Sequence, residues 1–461
     1  VDDHNQNQSL NRELGLYSAT LVVIANMVGT GIFTTSGLVA RELGHPSAML
    51  ACWLVGGVFA LCGAFCYGEL GSMFPRAGGE YVFIRESLGR ITAFLSGWIS
   101  LIVGFSAPLA ASAIAFAVYF LDLFPGISTL AWKPRLFGLQ VLNLSPSSFL
   151  AAAVIALLSL AHYHSLVLGT RVQNLLTLLK IAIILAFIGG GCLFGSGGLD
   201  HFGPGLWPDD PVFTGGFAVA LIFVTFAYSG WNGAAYLGGE IVAPGKNIPR
   251  ALISGTSIVI CLYLLLNAVY IYALAPGEMA EAIDVGAAAA AALFGESMGR
   301  LFAGAIALAL LSVISAMVVT GPRVYYAMAR DGLFFESFGR VASRQGTPVA
   351  SIFFQALIAI VMVFTSTFDQ LLIYIGFTLA VFASLAVFGL IRLRLARPDL
   401  PKGYKTPGYP ATPILFIAGN LWIIYYSIQD KPVASLFGAL TILAGLAAFF
   451  GFDRKSKTRP S

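Results

Sequence analysis

Long apolar stretches separated by short polar ones run along most of the 461-residue chain. They fall near residues 15–41, 47–74, 91–122, 146–166, 170–195, 212–240, 249–274, 298–329, 348–365, 368–393, 411–429 and 432–452. At 1.5 Å rise per residue, about 20 apolar residues cross the hydrocarbon of a bilayer. The pattern therefore predicts an all-α membrane protein of about twelve spanning helices. Two of the runs are interrupted. The first carries Val28-Gly29-Thr30-Gly31-Ile32-Phe33, and two glycines in three residues predict a broken helix at membrane depth. The sixth carries Phe223 to Gly233, with Ala227, Tyr228, Ser229, Gly230, Trp231 and Asn232, and then Leu237-Gly238-Gly239-Glu240. Glycines in such helices also serve simply to let a neighbour pack closely. A break, by contrast, frees N–H and C=O groups that lipid cannot solvate, so it persists only where it lines a cavity or is covered by protein. Two interruptions about 200 residues apart, each opening a five-span block, match inverted repeats whose discontinuous helices meet at a midplane site.

Composition settles the class. Hydrophobic residues make up 58% and charged residues 10%, with a mean hydropathy of +0.84, whereas a soluble domain carries about a quarter charged residues. The acidic start, Val1 to Asn11, lacks the basic region and small-residue cleavage site of a leader, so the first span is expected to stay. Lysine and arginine gather in alternate loops, at Arg76, Arg85, Arg90, Arg171, Lys246, Arg250, Arg330, Arg340, Arg344, Arg392, Arg394, Arg397, Lys402 and Lys405, and in the tail after Phe452. The other loops hold only Arg41, Lys133, Arg135, Arg300 and Lys431, with most of the loop aspartates. Basic loops stay inside, which places both termini in the cytoplasm of a cell whose inner or plasma membrane holds the chain. The net charge of +4 is this bias and not a nucleic-acid footprint, since no aromatic residues interleave with the basic ones.

Chemistry is sparse. The cysteines, Cys52, Cys62, Cys66, Cys192 and Cys261, all fall in spans and imply no disulfide framework. Without histidines at ligand spacing, neither a metal site nor a cofactor is expected, and His162 and His164 read as interface or loop residues. Paired carboxylates, a nucleophile turn and a phosphate loop are missing, so an enzyme has little support. Glu80, Arg85, Glu86 and Arg90 read as a surface ion-pair cluster after the turn at Gly78-Gly79, and Phe124 to Pro146 as a loop with short structure at most.

Two groups do suggest a function. A half-helix restarting at Gly31 and Ile32 presents unpaired N–H groups and a positive dipole end, suited to a carboxylate. Lys180 lies nine residues past Arg171, roughly 13 Å deeper along the fifth helix. An ionisable residue at that depth is a functional candidate, with snorkelling as its alternative. Its ammonium is placed to tie the fifth helix to freed carbonyls of the first, where a sodium ion would otherwise sit.

Gly29 to Phe33, Tyr67-Gly68-Glu69-Leu70 through Pro75, Gly78-Gly79-Glu80-Tyr81 and Phe226 to Asn232 resemble the amino acid, polyamine and organocation transporter superfamily. Arg171-Val172-Gln173 with Lys180, Glu240 through Pro249 and Arg323 through Gly332 narrow the likeness to its L-type amino acid transporter branch. The resemblance implies a leucine-transporter-like fold: an N-terminal segment (1–14), inverted repeats at 15–195 and 212–393, two further helices at 411–452 and a tail at 453–461. It implies that Thr30 and Gly31 N–H groups take a substrate carboxylate. Carbonyls of Met27, Phe226, Ala227 and Ser229 would take its ammonium, Phe226 would gate the outer side, and Trp231, Asn232 and Gly233 would line the pocket. Lys180 would stand in for sodium. In two respects the chain departs from the branch. Mammalian members join an accessory glycoprotein through a cysteine after the third span, and Leu121 to Pro146 contain none, so no disulfide-linked subunit is expected. Gly233 stands where some relatives carry a large aromatic, which changes the pocket size. The expected activity is sodium-independent transport of neutral amino acids by alternating access, as exchange or alternatively with protons. A non-transporting sensor on the same fold is the remaining class; it lacks any long polar segment here.

Overall fold

The computed structural model describes residues 10–124, 134–136, 139–140, 142–164, 166–203, 215–282, 284–342, 346–365, 368–430 and 432–457. The first apolar run folds as α1 (Leu16–Met27) and α2 (Gly31–Leu43), bent by 44° between them. Next come α3 (Pro46–Met73), the short α4 (Glu80–Leu88), α5 (Arg90–Asp122), α6 (Pro146–His164) and α7 (Leu166–Phe194). The sixth run is split again, into α8 (Gly215–Ala227) and one turn, α9 (Gly233–Tyr236). The remainder is α10 (Pro244–Ala273), α11 (Pro276–Glu281), α12 (Val285–Phe294), α13 (Glu296–Arg330), α14 (Val349–Thr365), α15 (Phe368–Ala396), α16 (Ala411–Asp430) and α17 (Pro432–Lys457). Among the described residues nine helices are long and apolar enough to cross a membrane, ten if the bent α1–α2 pair is one span. With the shorter apolar α8 and α14, every one of the twelve runs has its helix. Between α5 and α6 the described residues form one small antiparallel pair, Arg135–Leu136 with Leu139–Gln140; the rest of that expected loop lies largely outside the described residues.

Helix packing sorts the spans into two groups. In one, α10 lies along α3 and α1, while α8 lies along α2 and α3. In the other, α13 lies along α5 and α14 along α6, with α5 and α6 also in contact. Between them α7 touches α1, α6 and α13. Small residues set these distances, as expected where lipid offers no hydrophobic drive to bring helices together. A Cβ on Gly255 would stand 2.7 Å from Val23 Cβ, and one on Gly56 would stand 2.4 Å from a Val224 methyl. Leucines and phenylalanines on the outer faces of α6, α7, α16 and α17, such as Leu157, Leu175, Leu193, Leu421 and Leu443, stay exposed, as a lipid-facing surface requires.

One helix is widened where it passes the centre. Ser100–Ser106 of α5 is π-helical, and Pro108 follows it. A proline nitrogen cannot donate to the carbonyl four residues back, here Gly104, so the regular ladder fails at this point. Both Ser100 and Gly104 face the space between the two helix groups.

Candidate functional site

A cavity of about 180 Å³ lies where the breaks in α1–α2 and α8–α9 meet. Met27, Thr30, Gly31, Phe226, Ala227, Ser229, Trp231, Asn232 and Gly233 all line it, together with Asn26, Glu80, Tyr236 and the widened turn of α5. Each break exposes backbone. Among the described residues, no backbone carbonyl accepts from the N–H groups of Gly29, Thr30, Gly31 or Ile32, so a set of donors stands at the start of α2. An anion is the guest such a helix start favours.

The carbonyl side of the first break is held by two other helices. Lys180 of α7 is fully buried and donates to Ala25 O at 3.2 Å and to Val28 O. It stands behind α1, away from the cavity lining. The hydroxyl of Tyr263 on α10 lies 2.8 Å from Met27 O and 3.1 Å from Ala227 O, with one proton to share between them. Met27 and Ala227 carbonyls thus have a partner already, and each keeps one lone pair for a further donor. Phe226 O accepts from Ser229 N at 2.9 Å and Gly230 O from Gly233 N at 3.0 Å, which closes the second break on itself as a turn. Gly230 sits at φ +95°, and a Cβ there would stand 2.6 Å from Asn26 O.

Gly31 serves both purposes that the sequence leaves open. A Cβ on it would lie 2.7 Å from Ala227 Cα, so the glycine permits close packing of the two broken helices and also marks the break. Gly29 is different, since the nearest atom to its missing Cβ is a Val313 methyl at 3.7 Å. Trp231 packs edge-on to Tyr67 at 4.7 Å and to Phe416 at 5.7 Å, over the space left by Gly63. Asn232 Nδ2 donates to the Tyr236 hydroxyl at 3.2 Å.

The expected surface cluster of Glu80, Arg85, Glu86 and Arg90 needs correction. Arg76 and Arg85 do pair with Glu86, and Arg85 with Asp331 at 3.0 Å. Glu80 turns the other way. It is buried in the first turn of α4, accepting from Tyr67 Oη at 2.5 Å and Ser96 Oγ at 3.3 Å, and it reaches the cavity wall. Glu80 lies between the spanning helices α3 and α5, and burial pushes its carboxyl up to about 7 against the two hydroxyl bonds that lower it. Of the histidines, His162 is buried against Ser315 of α13 at 2.7 Å, an interface residue, and His164 is exposed. Sequence reasoning missed Tyr263, Asn26 and Glu80 as wall or bracing groups. Only Asn26, a lone amide beside the glycines in an apolar run, carried a visible signal.

Among the described residues, two ion pairs with a buried carboxylate lie outside the cavity. Arg323 of α13 grips Glu240 with Nε and Nη2 at 3.0 and 2.8 Å, and both side chains are buried. The Glu240 carbonyl accepts from Glu13 N and Leu14 N, both at 2.9 Å, which binds the start of the chain to the end of the broken sixth helix. Arg394 of α15 holds Glu69 of α3 with two nitrogens, at 2.8 and 2.5 Å, and Thr406 N adds a third bond at 2.7 Å.

A sequence profile described as amino acid permease matches residues 14–460. The chain belongs to the amino acid permease family. Its relatives include the large neutral amino acids transporter small subunit 2 of Mus musculus, 30% identical over 96% of this chain and 81% of the relative. The serine/threonine exchanger SteT of Bacillus subtilis (strain 168) is 29% identical over 98% of this chain and 99% of its own length. The b(0,+)-type amino acid transporter 1 of Mus musculus is 28% identical over 96% of this chain and 88% of the relative. The permease is therefore a multi-pass membrane protein of the superfamily its motifs resemble, and its two broken helices sit where a leucine-transporter-like fold has them.

Proposed function

We propose that this permease is a sodium-independent exchanger of neutral L-amino acids, working by alternating access and without enzymatic activity. The observation that carries the reading is Lys180 bonded to the Ala25 and Val28 carbonyls behind the first break. A sodium ion bound there would be solvated by such carbonyls, and the Lys180 amino group of α7 donates to the same carbonyls while remaining part of the chain. Such a strut leaves the amino acid gradients as the driving force. Relatives named as a serine/threonine exchanger and as amino acid transporters support transport over sensing.

In this reading Thr30 and Gly31 N–H groups take the substrate carboxylate, and the free lone pairs of Met27, Phe226, Ala227 and Ser229 carbonyls take its ammonium. Trp231, Asn232 and Gly233 bound the side chain, Phe226 gates the outer side, and 15–195 and 212–393 are the inverted repeats. Both termini face the cytoplasm, in keeping with the basic loops, and the chain works without a disulfide-linked subunit.

Counterflow into liposomes loaded with a panel of unlabelled amino acids tests this. Uptake is expected only with internal amino acid, equally in sodium and in choline, with alanine, serine or leucine competing better than lysine or arginine. Uptake stimulated by sodium, or uptake into empty liposomes, overturns the exchanger reading.

A further inference from the structure

The cavity has an acid on its wall that neither the backbone breaks nor Lys180 accounts for. Glu80 is buried, and its oxygens accept hydrogen bonds from two hydroxyls, Tyr67 on α3 and Ser96 on α5. The other charges packed near it are engaged elsewhere. Arg85 on its own helix pairs with Asp331 and Glu86, and Arg392 of α15 donates to Ser87 O. Arg394 is held by Glu69, Arg397 reaches Glu86, and Arg323 of α13 is held by Glu240. Tyr236 faces it from α9 with a hydroxyl that accepts from Asn232. Among the described residues, no lysine, arginine or histidine forms an ion pair with Glu80.

Carboxylates buried without a cation are expensive, and the cheapest remedy is to bind a proton. Water that fills the cavity reaches Glu80 and can deliver one, whereas closing the cavity over a substrate removes that water. An ionised Glu80 then loses most of its solvation, and a neutral one loses little. The closed state therefore prefers the protonated side chain.

We infer that Glu80 is a proton-binding site of the transport cavity, and that its protonation favours closure around the substrate. The proton comes from water in the cavity and returns to it, with no other bond made or broken. This inference rests on the exchanger reading. It assigns the pH response of transport to the wall of the cavity and not to Lys180.

Exchange of labelled alanine by purified protein in liposomes, with the same pH on both sides, tests it. With burial holding the carboxyl at about 7, exchange in the wild type is expected to fall about tenfold between pH 6 and pH 8. Glu80→Gln, which keeps the size and an acceptor for Tyr67, is expected to flatten the profile. Tyr67→Phe removes a donor that favours the ionised form, so its midpoint is expected to move up by about half a unit. A flat wild-type profile, or a profile unchanged in Glu80→Gln, overturns the proposal. Should Glu80→Gln fail to fold, an unmoved midpoint in Tyr67→Phe overturns it.

Thermal unfolding of the purified protein separates the two readings. A glutamate raised in the folded state loses stability as pH rises from its ordinary range through the folded value. The wild type is thus expected to lose stability relative to Glu80→Gln between about pH 4.5 and 7. That difference without any amino acid exchange would leave the proton site standing and remove the exchanger reading, while its absence would remove the proton site.

Discussion

The two helix breaks look alike in sequence and are enforced differently. At the α1–α2 break the carbonyls are held from outside, by Lys180 of α7 on Ala25 and Val28 and by Tyr263 of α10 on Met27. The α8–α9 break is held mainly from within, by the turns closed from Ser229 to Phe226 and from Gly233 to Gly230, with Gly230 at positive φ. Local turn chemistry keeps its shape wherever the helix goes. A shape imposed by a distant lysine lasts only while α7 and α1 stay together, so the first break is the one whose geometry depends on the arrangement of the bundle. Tyr263, within reach of both Met27 O and Ala227 O, is the side chain that joins the two.

Substitutions at four positions sharpen this contrast, in descending order of effect. Gly31→Val forces side-chain atoms into Ala227, whose Cα lies 2.7 Å from the Cβ position. It should abolish substrate exchange and lower the unfolding temperature, since overpacking costs about 1–3 kcal/mol or more. Wild-type melting with exchange intact would show that the helices do not meet there. Lys180→Ala leaves the Ala25 and Val28 carbonyls without their donor, at about 1–3 kcal/mol for each buried group. Exchange in liposomes should drop below a tenth of wild type at every sodium concentration; rescue by sodium would mean that the vacated place takes the ion. Tyr263→Phe removes one hydroxyl shared by both breaks and should cost about 1 kcal/mol, seen as roughly a fivefold loss of exchange. A loss confined to substrate affinity, with turnover unaltered, would argue against a joining role. Gly29→Ala meets only the Val313 methyls, at 3.7 Å and beyond, and should exchange within about twofold of wild type. Loss of activity there would point to a backbone demand at Gly29 that its neighbours do not reveal.

Much of this was legible from residues alone, for physical reasons. Twelve apolar runs map onto helices because hydrocarbon permits little else, and the paired breaks announce themselves because glycines stand two residues apart in the first run, and serine, glycine and asparagine gather within four residues of the sixth. Lys180 was legible on the same ground, being costly to bury. Tyr263 was not, since a tyrosine inside an apolar run is commonplace and only the crossing of α10 over both breaks gives its hydroxyl two carbonyls. Glu80 was misread because Glu, Arg, Glu and Arg at helical spacing describe a solvated face. Which of them turns inward is decided by Tyr67 and Ser96, on helices far enough away in sequence to leave no local trace.

Glu240 has a consequence of a mechanical kind. Its backbone carbonyl takes both Glu13 and Leu14, and its carboxylate takes Arg323, so three segments distant in sequence are fastened at one residue. Fasteners of this sort behave as an interlock. Releasing the chain start alone leaves α13 clamped, and releasing Arg323 alone strands a buried carboxylate, a state costing about 3–5 kcal/mol. Release of Arg323 alone is therefore penalised, which keeps α13 fastened to the segment that also holds Glu13 and Leu14.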